Sequence, residues 1–192
     1  MTVRLLTAGE SHGPSLTAIL EGIPAGLELD ASILNRELTR RQQGFGRGKR
    51  MLIEQDRAEF LSGLKNNTTL GSPMALSIKN KDYSIEKLHR VNCPRPAHAD
   101  LSGVLKYGFN DARNVLERAS ARETAARVGV GAICKVLLRE FGIGISSRVL
   151  SIGGESSVQS MHDKIAEARD NKDTVGGMIE IAAKGVPCVL GS

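Results

Sequence analysis

Residues 9–13 read GESHG, a G-x-S-x-G pattern that sets a candidate hydroxyl nucleophile, Ser11, beside an imidazole, His12. A serine elbow needs a strand before it, a helix directly after it, and an upstream loop that supplies oxyanion donors. Here Pro14 follows the motif, residues 16–23 read as a second strand, and only eight residues precede Gly9. The pattern is met and its context is not, so a serine hydrolase stands as an alternative. His12 is either a ring held out to a ligand, able to give or take a proton near neutral pH, or a ring bonded to its own turn.

Three further clusters carry charge or titratable groups. In RRQQGFGRGKRM, Arg40, Arg41, Arg47, Lys49 and Arg50 are interleaved with Gly44, Gly46 and Gly48. Glycines let backbone amides approach an anion, and guanidinium forks bind phosphate or carboxylate in pairs of bonds. An anion site, a solvated basic loop and an RNA-contacting arm all fit this composition. His98 lies in RPAHADL, stiffened by Pro94 and Pro96, with Arg95 beside it and Asp100 near enough to orient its ring. Arg118, Arg122 and Arg127, with Ser120 and Glu123, read as one basic helical face.

The elements that must position these residues follow from composition and periodicity. The 192 residues are 41% hydrophobic and 24% charged, enough apolar material for one large domain. Aromatic residues make up 3% and Trp is absent, which leaves few rings for stacking bases and counts against an RNA reader. The net charge of +5 suits either a polyanion surface or a small anionic substrate held by several guanidiniums. Cys93, Cys134 and Cys188 show neither CxxC nor Cys/His spacing, so no disulfide framework and no metal site is expected. With no secretory leader and no apolar run of about eighteen residues, the reading is a cytoplasmic protein without a membrane segment.

Residues 3–8 and 16–23 read as strands, and Asp30 as the cap of a helix over 31–43 with Ile33, Leu34 and Leu38 on one face. Residues 51–64 suggest a hairpin and SPMALSIKN another strand, while two prolines make the segment up to Ala99 a loop. A long helix runs from Asp111 to Gly142, where Gly129 and Gly131 mark close packing or a break. A polar helix over 162–171 and a last strand follow. Strands early and a long helix later, without βαβ alternation, give the α+β class. Strand chemistry that stops at Ser192 suggests a truncated chain.

Taken in order, GESHGP, RRQQGFGRGKRM, RPAHADL and RASARETAARVGVGA resemble the signature stretches of the chorismate synthase family. The resemblance runs from Val3 to Ser192 and covers half the usual family length. It implies a single domain over residues 1–192, with antiparallel strands and a long helix packed on them in a β-α-β sandwich, and lacking the family's second half. The implied activity is the 1,4-anti elimination of phosphate from 5-enolpyruvylshikimate 3-phosphate, with reduced FMN as cofactor, in a homotetramer with no nucleic-acid partner. By the same resemblance His12 protonates the departing phosphate and His98 assists proton movement near the flavin. Arg41, Arg47 and Arg127 clamp the substrate's anionic groups, and Ser120, Ala121 and Arg122 lie at the flavin. Ala97 stands where the family commonly has Gly, and the segment KNKDYSIEKLHRVNC is shorter than is typical. A chain of this length is expected to be inactive alone.

Overall fold

The computed structural model describes residues 2–48, 50–188 and 190. The chain divides into two compact units, one made of the residues up to 41 with 50–133, the other of 42–49 with 134–192. In chain order the first contains β1 (Arg4–Ala8), β2 (Ser15–Glu21), β3 (Ala25–Glu28), α1 (Ala31–Gln42), the single turn α2 (Arg50–Ile53), β4 (Ala58–Ser62), β5 (Leu64–Lys65), β6 (Thr68–Leu70), β7 (Met74–Lys79), α3 (Asp100–Tyr107), α4 (Arg113–Leu116) and the start of α5 (Thr124–Glu140).

Four of these strands form a sheet in the order β1-β2-β7-β4, antiparallel throughout. Side chains on a strand alternate between faces, and β2 and β7 use that alternation fully. Leu16, Ala18 and Leu20 are buried and pair directly across the ladder with buried Ile78, Leu76 and Met74. Each buried Leu or Ile contributes roughly 1.5–3 kcal/mol. The helix α5 covers this face with Ala125, Ala126 and Val130. A β-carbon at Gly129 would meet Ile78 Cδ1 at 3.7 Å and Leu76 Cδ1 at 3.8 Å, which lays the helix directly over β7. A smaller sheet, β3-β6-β5, stands apart from it.

β1 and β2 are consecutive and paired up to Ala8 and Thr17, so GESHG is the connection of a hairpin. Its first residue, Gly9, has φ +103°, and a β-carbon there would lie 2.4 Å from the Ser15 carbonyl oxygen. Only glycine can start this turn.

The second unit holds β8 (Gly144–Ile152), α6 (Val158–Asp170) and β9 (Gly177–Lys184). β8 and β9 pair antiparallel from Gly144 opposite Lys184 to Ile152 opposite Gly177, with a shift between Val149 and Ser151. Ser157 caps α6, its hydroxyl accepting from the Ser160 amide at 3.1 Å.

The antiparallel sheets with packed helices agree with the α+β expectation, and two local expectations are corrected. Residues 51–64 do not form a hairpin; after α2 the chain turns inward to bury Glu54 and Asp56 and then enters β4, which pairs with β7. The helix expected over 111–142 is interrupted as well. α4 ends near Leu116, and Ser120 takes an extended conformation (φ −70°, ψ 145°) and caps the turn Ala121–Glu123 that leads into α5. Neither Gly129 nor Gly131 breaks α5. The apolar run after Gly185 includes Val189, Gly191 and Ser192, which lie outside the described residues, as does Lys49 of the basic loop. Among the described residues no helix is long and apolar enough to cross a membrane.

Candidate active site

The GESHG turn is anchored to the end of α4, 105 residues away in sequence. The Ser11 amide donates to the Glu117 carbonyl at 2.9 Å, and the His12 amide donates to Glu117 Oε2 at 2.9 Å. The same buried carboxylate lies 2.9 and 3.1 Å from His12 Nδ1 and takes Arg113 Nη1 at 3.4 Å. The His12 carbonyl accepts the amides of Ser84 (3.1 Å) and Ile85 (3.0 Å). Backbone and ring are therefore both fixed. A carboxylate can only accept, so Nδ1 carries a hydrogen and Nε2 is the nitrogen left to exchange a proton. Nε2 is 3.5 Å from Asp82 Oδ2, and the side chain is 22% exposed, enough for one edge to be reached from solvent.

Ser11 is buried and turned the other way. Its hydroxyl accepts Arg50 Nη1 at 2.5 Å, and its carbonyl accepts Arg50 Nη2. A guanidinium cannot act as a base. With no helix after the motif and, among the described residues, no imidazole on the hydroxyl, the serine hydrolase alternative has no support.

Beneath the turn runs a continuous polar network. Asn80 donates through Nδ2 to the carbonyls of Gly13 (2.8 Å), Glu10 (3.2 Å) and Ser11 (3.2 Å), and its Oδ1 accepts Arg122 Nε at 2.8 Å. Arg122 is buried, with Nη1 on Asp56 Oδ1 at 2.6 Å and Nη2 3.7 Å from Glu54 Oε2. Asp56 Oδ2 accepts Arg41 Nη1 at 3.3 Å. Arg41 also donates from Nε to Thr124 Oγ1 (3.0 Å) and from Nη2 to the Ala121 carbonyl (3.1 Å). Buried charges persist only when paired and hydrogen-bonded. Burial raises the Glu54 carboxyl, yet the Lys81 and Asp82 amides and the guanidiniums of Arg122 and Arg50 outweigh it and hold the group below its ordinary range.

A second cluster reaches the same turn from outside. Glu123 accepts the Thr7 hydroxyl at 2.7 Å and Arg127 Nε at 2.8 Å, and Arg118 donates to the carbonyls of Thr7 (2.8 Å) and Gly9 (3.3 Å). Arg127 is mostly exposed. Arg118 and Arg122 do not share a face, because the break at Ser120 sends Arg122 into the core and leaves Arg118 at the surface.

The structure thus joins the turn that carries His12 to Arg122, Arg41 and Ala121 through Asn80 and Asp56, and brings Arg127 to the β1 side by way of Glu123. His98 is exposed on its loop, and among the described residues it makes no hydrogen bond to this network. Asp100 does not orient it; both carboxylate oxygens accept from Arg95, at 2.9 Å (Nε), 3.0 Å (Nη2) and 3.0 Å (amide). Arg47 belongs to the second unit, where its Nε donates to the Gln43 carbonyl at 3.0 Å. Ala121 is exposed and Ser120 half-buried, so this turn can receive a group laid against it. The Arg122 guanidinium is buried, with Nε on Asn80 and Nη1 on Asp56, and its Nη2 has no hydrogen-bond partner among the described residues. Among the described residues no cluster of His, Cys, Asp and Glu is arranged to hold a metal.

Sequence reasoning missed Glu117, Asp82, Asn80, Glu54 and Asp56. The available signal was a carboxylate inside an apolar register, Glu117 after Val115 and Leu116, which a surface helix would not bury.

The family profile described as chorismate synthase matches residues 3–192. The chorismate synthase of Thermoanaerobacter pseudethanolicus is 52% identical over 193 residues, covering 99% of this chain and 55% of the relative. That of Geobacillus thermodenitrificans is 46% identical over 231 residues, covering 99% and 60%. A crystal structure of chorismate synthase superposes with a TM-score of 0.79 at 41% identity, over 97% of this chain and 59% of the other. This chain spans about half the length of the curated relatives it matches.

Proposed function

This chain belongs to the chorismate synthase family, and from that premise we propose that its polar network serves the 1,4-anti elimination of phosphate from 5-enolpyruvylshikimate 3-phosphate to chorismate. The observation that carries the reading is His12 itself: an imidazole oriented by a buried carboxylate at 2.9 Å, with its other nitrogen 3.5 Å from the partly exposed Asp82 carboxylate.

The substrate carries a phosphate and two carboxylates, and its phosphate leaves more readily when the developing charge meets a proton and fixed cations. His12, held through Nδ1 by Glu117, supplies the proton at Nε2. Arg41 binds an anionic group, kept in place by Asp56, Thr124 and the Ala121 carbonyl. Arg127 and Arg47 add charge, and His98 moves a proton from its exposed loop. Ser120 and Ala121 offer the surface against which reduced FMN would lie, with Arg122 bracing that turn from below. When bound, reduced FMN supplies electron density for cleavage of the allylic carbon–oxygen bond. The active protein is a cytoplasmic homotetramer in this reading.

The test is anaerobic turnover of 5-enolpyruvylshikimate 3-phosphate by the full-length polypeptide with reduced FMN. Chorismate and phosphate should appear in equal amounts. Phosphate release without chorismate would contradict the reading.

A further inference from the structure

The basic loop contains one feature that its charges do not explain. Among glycines and cations stands an aromatic residue, Phe45, and its ring stacks on the imidazole of His162 in α6, with centroids 4.2 Å apart and planes 20° from parallel. Next to it, Gly46 (φ +77°) lies so close to α6 that a β-carbon would stand 2.5 Å from Ile165 Cγ2. His162 and Ile165 are three apart on the helix and hence on one face. Arg47 follows immediately, its Nε returned to the Gln43 carbonyl. Ordering a glycine-rich loop is entropically expensive, and a side chain at its tip binds an anion well only if something else has already ordered it.

We propose that α6 is the clamp for the basic loop, with His162 stacking on Phe45 and Ile165 filling the space beside Gly46, so that both act as positioning residues for Arg47. The inference rests on the reading above in one respect, that Arg47 binds an anionic group of the substrate. The clamp raises affinity without touching the ligand.

Two readouts on the full-length polypeptide separate the parts. Trypsin cleavage after Arg47, followed by mass spectrometry, reports loop order independently of any ligand. Steady-state kinetics with 5-enolpyruvylshikimate 3-phosphate report its use. His162→Ala should speed cleavage after Arg47 and raise KM about three- to tenfold, the size of a lost aromatic pair, with kcat nearly unchanged. His162→Phe, which keeps the stack, should restore both. Unchanged cleavage in His162→Ala would overturn the clamp. Faster cleavage with wild-type KM, while Arg47→Ala raises KM, would show a stack that only packs the loop and would overturn the positioning role. Arg47→Ala with wild-type KM would instead overturn the anion-binding reading beneath the proposal.

Discussion

Asp100 shows how one carboxyl can be spent on structure beside a candidate catalytic histidine. The hydrogen bonds from Arg95 outweigh burial and, with the nearby charges of Arg95 and His98, hold its pKa down to about 2. A folded value below the unfolded one means stability that is present above roughly pH 4 and lost as pH falls through about 2. Asp100→Asn should therefore be less stable than wild type at pH 7, with the gap closing between about pH 4 and 2 in denaturant titrations. A gap that persists at the acid end would contradict the ion-pair account. Three residues earlier, Ala97 has φ +57°, in the left-handed region that disfavours a β-carbon by about 1–2 kcal/mol. Ala97→Gly should stabilise the fold by about 0.5–1 kcal/mol after the greater entropy of glycine is counted. Calorimetry showing a lower melting temperature would refute it.

Elements differ in how far they could be read in advance. β1 was legible as a short apolar run, β2 and β7 because period-two burial is written into residues such as Leu16, Ala18 and Leu20, and α1 because Asp30 caps it, its carboxylate accepting the Ser32 amide at 3.0 Å. The interruption at Ser120 was not, since Ala112, Val115, Leu116 and Ala119 continue the period of α5 smoothly. Tertiary demand overrode local propensity there: the break lets Arg122 reach Asp56, 66 residues away. The site divides in the same manner. His12 and Arg41 were visible as residue types, whereas Glu117, Asn80 and Asp56 become meaningful only when distant segments meet. Helical glycines provide a test of these packing assignments. Gly131 of α5 has open space where a β-carbon would go, while at Gly103 of α3 that atom would stand 2.4 Å from Val115 Cγ1. Gly131→Ala should gain about 1 kcal/mol from helix propensity. Gly103→Ala should lose about 1–3 kcal/mol to overpacking. Chemical denaturation giving the opposite order would mean that α3 does not pack on α4 as described.

At the scale of the whole molecule, four arginines near the candidate site are committed to carboxylates, while Arg118 and Arg127 stay at the surface beside it. Arg50, Arg113, Arg122 and Arg41 are each paired with a carboxylate, and Arg122 is buried in the core beside the turn that carries His12. That use of charge fits a small multiply charged metabolite better than a polyanion surface, which would call for exposed cations spaced along many phosphates. It also makes the two neighbours in GESHG unequal, one an oriented imidazole and the other a buried hydroxyl bound to a guanidinium. The measurement that separates them is anaerobic chorismate formation by the full-length polypeptide with reduced FMN, comparing His12→Ala with Ser11→Ala. His12→Ala should lower kcat by about 10²–10⁴-fold, the range expected for loss of a general acid. Ser11→Ala should lose no more than about tenfold, the consequence of one missing hydrogen bond. Near-wild-type turnover in His12→Ala, or abolition in Ser11→Ala alone, would contradict the account.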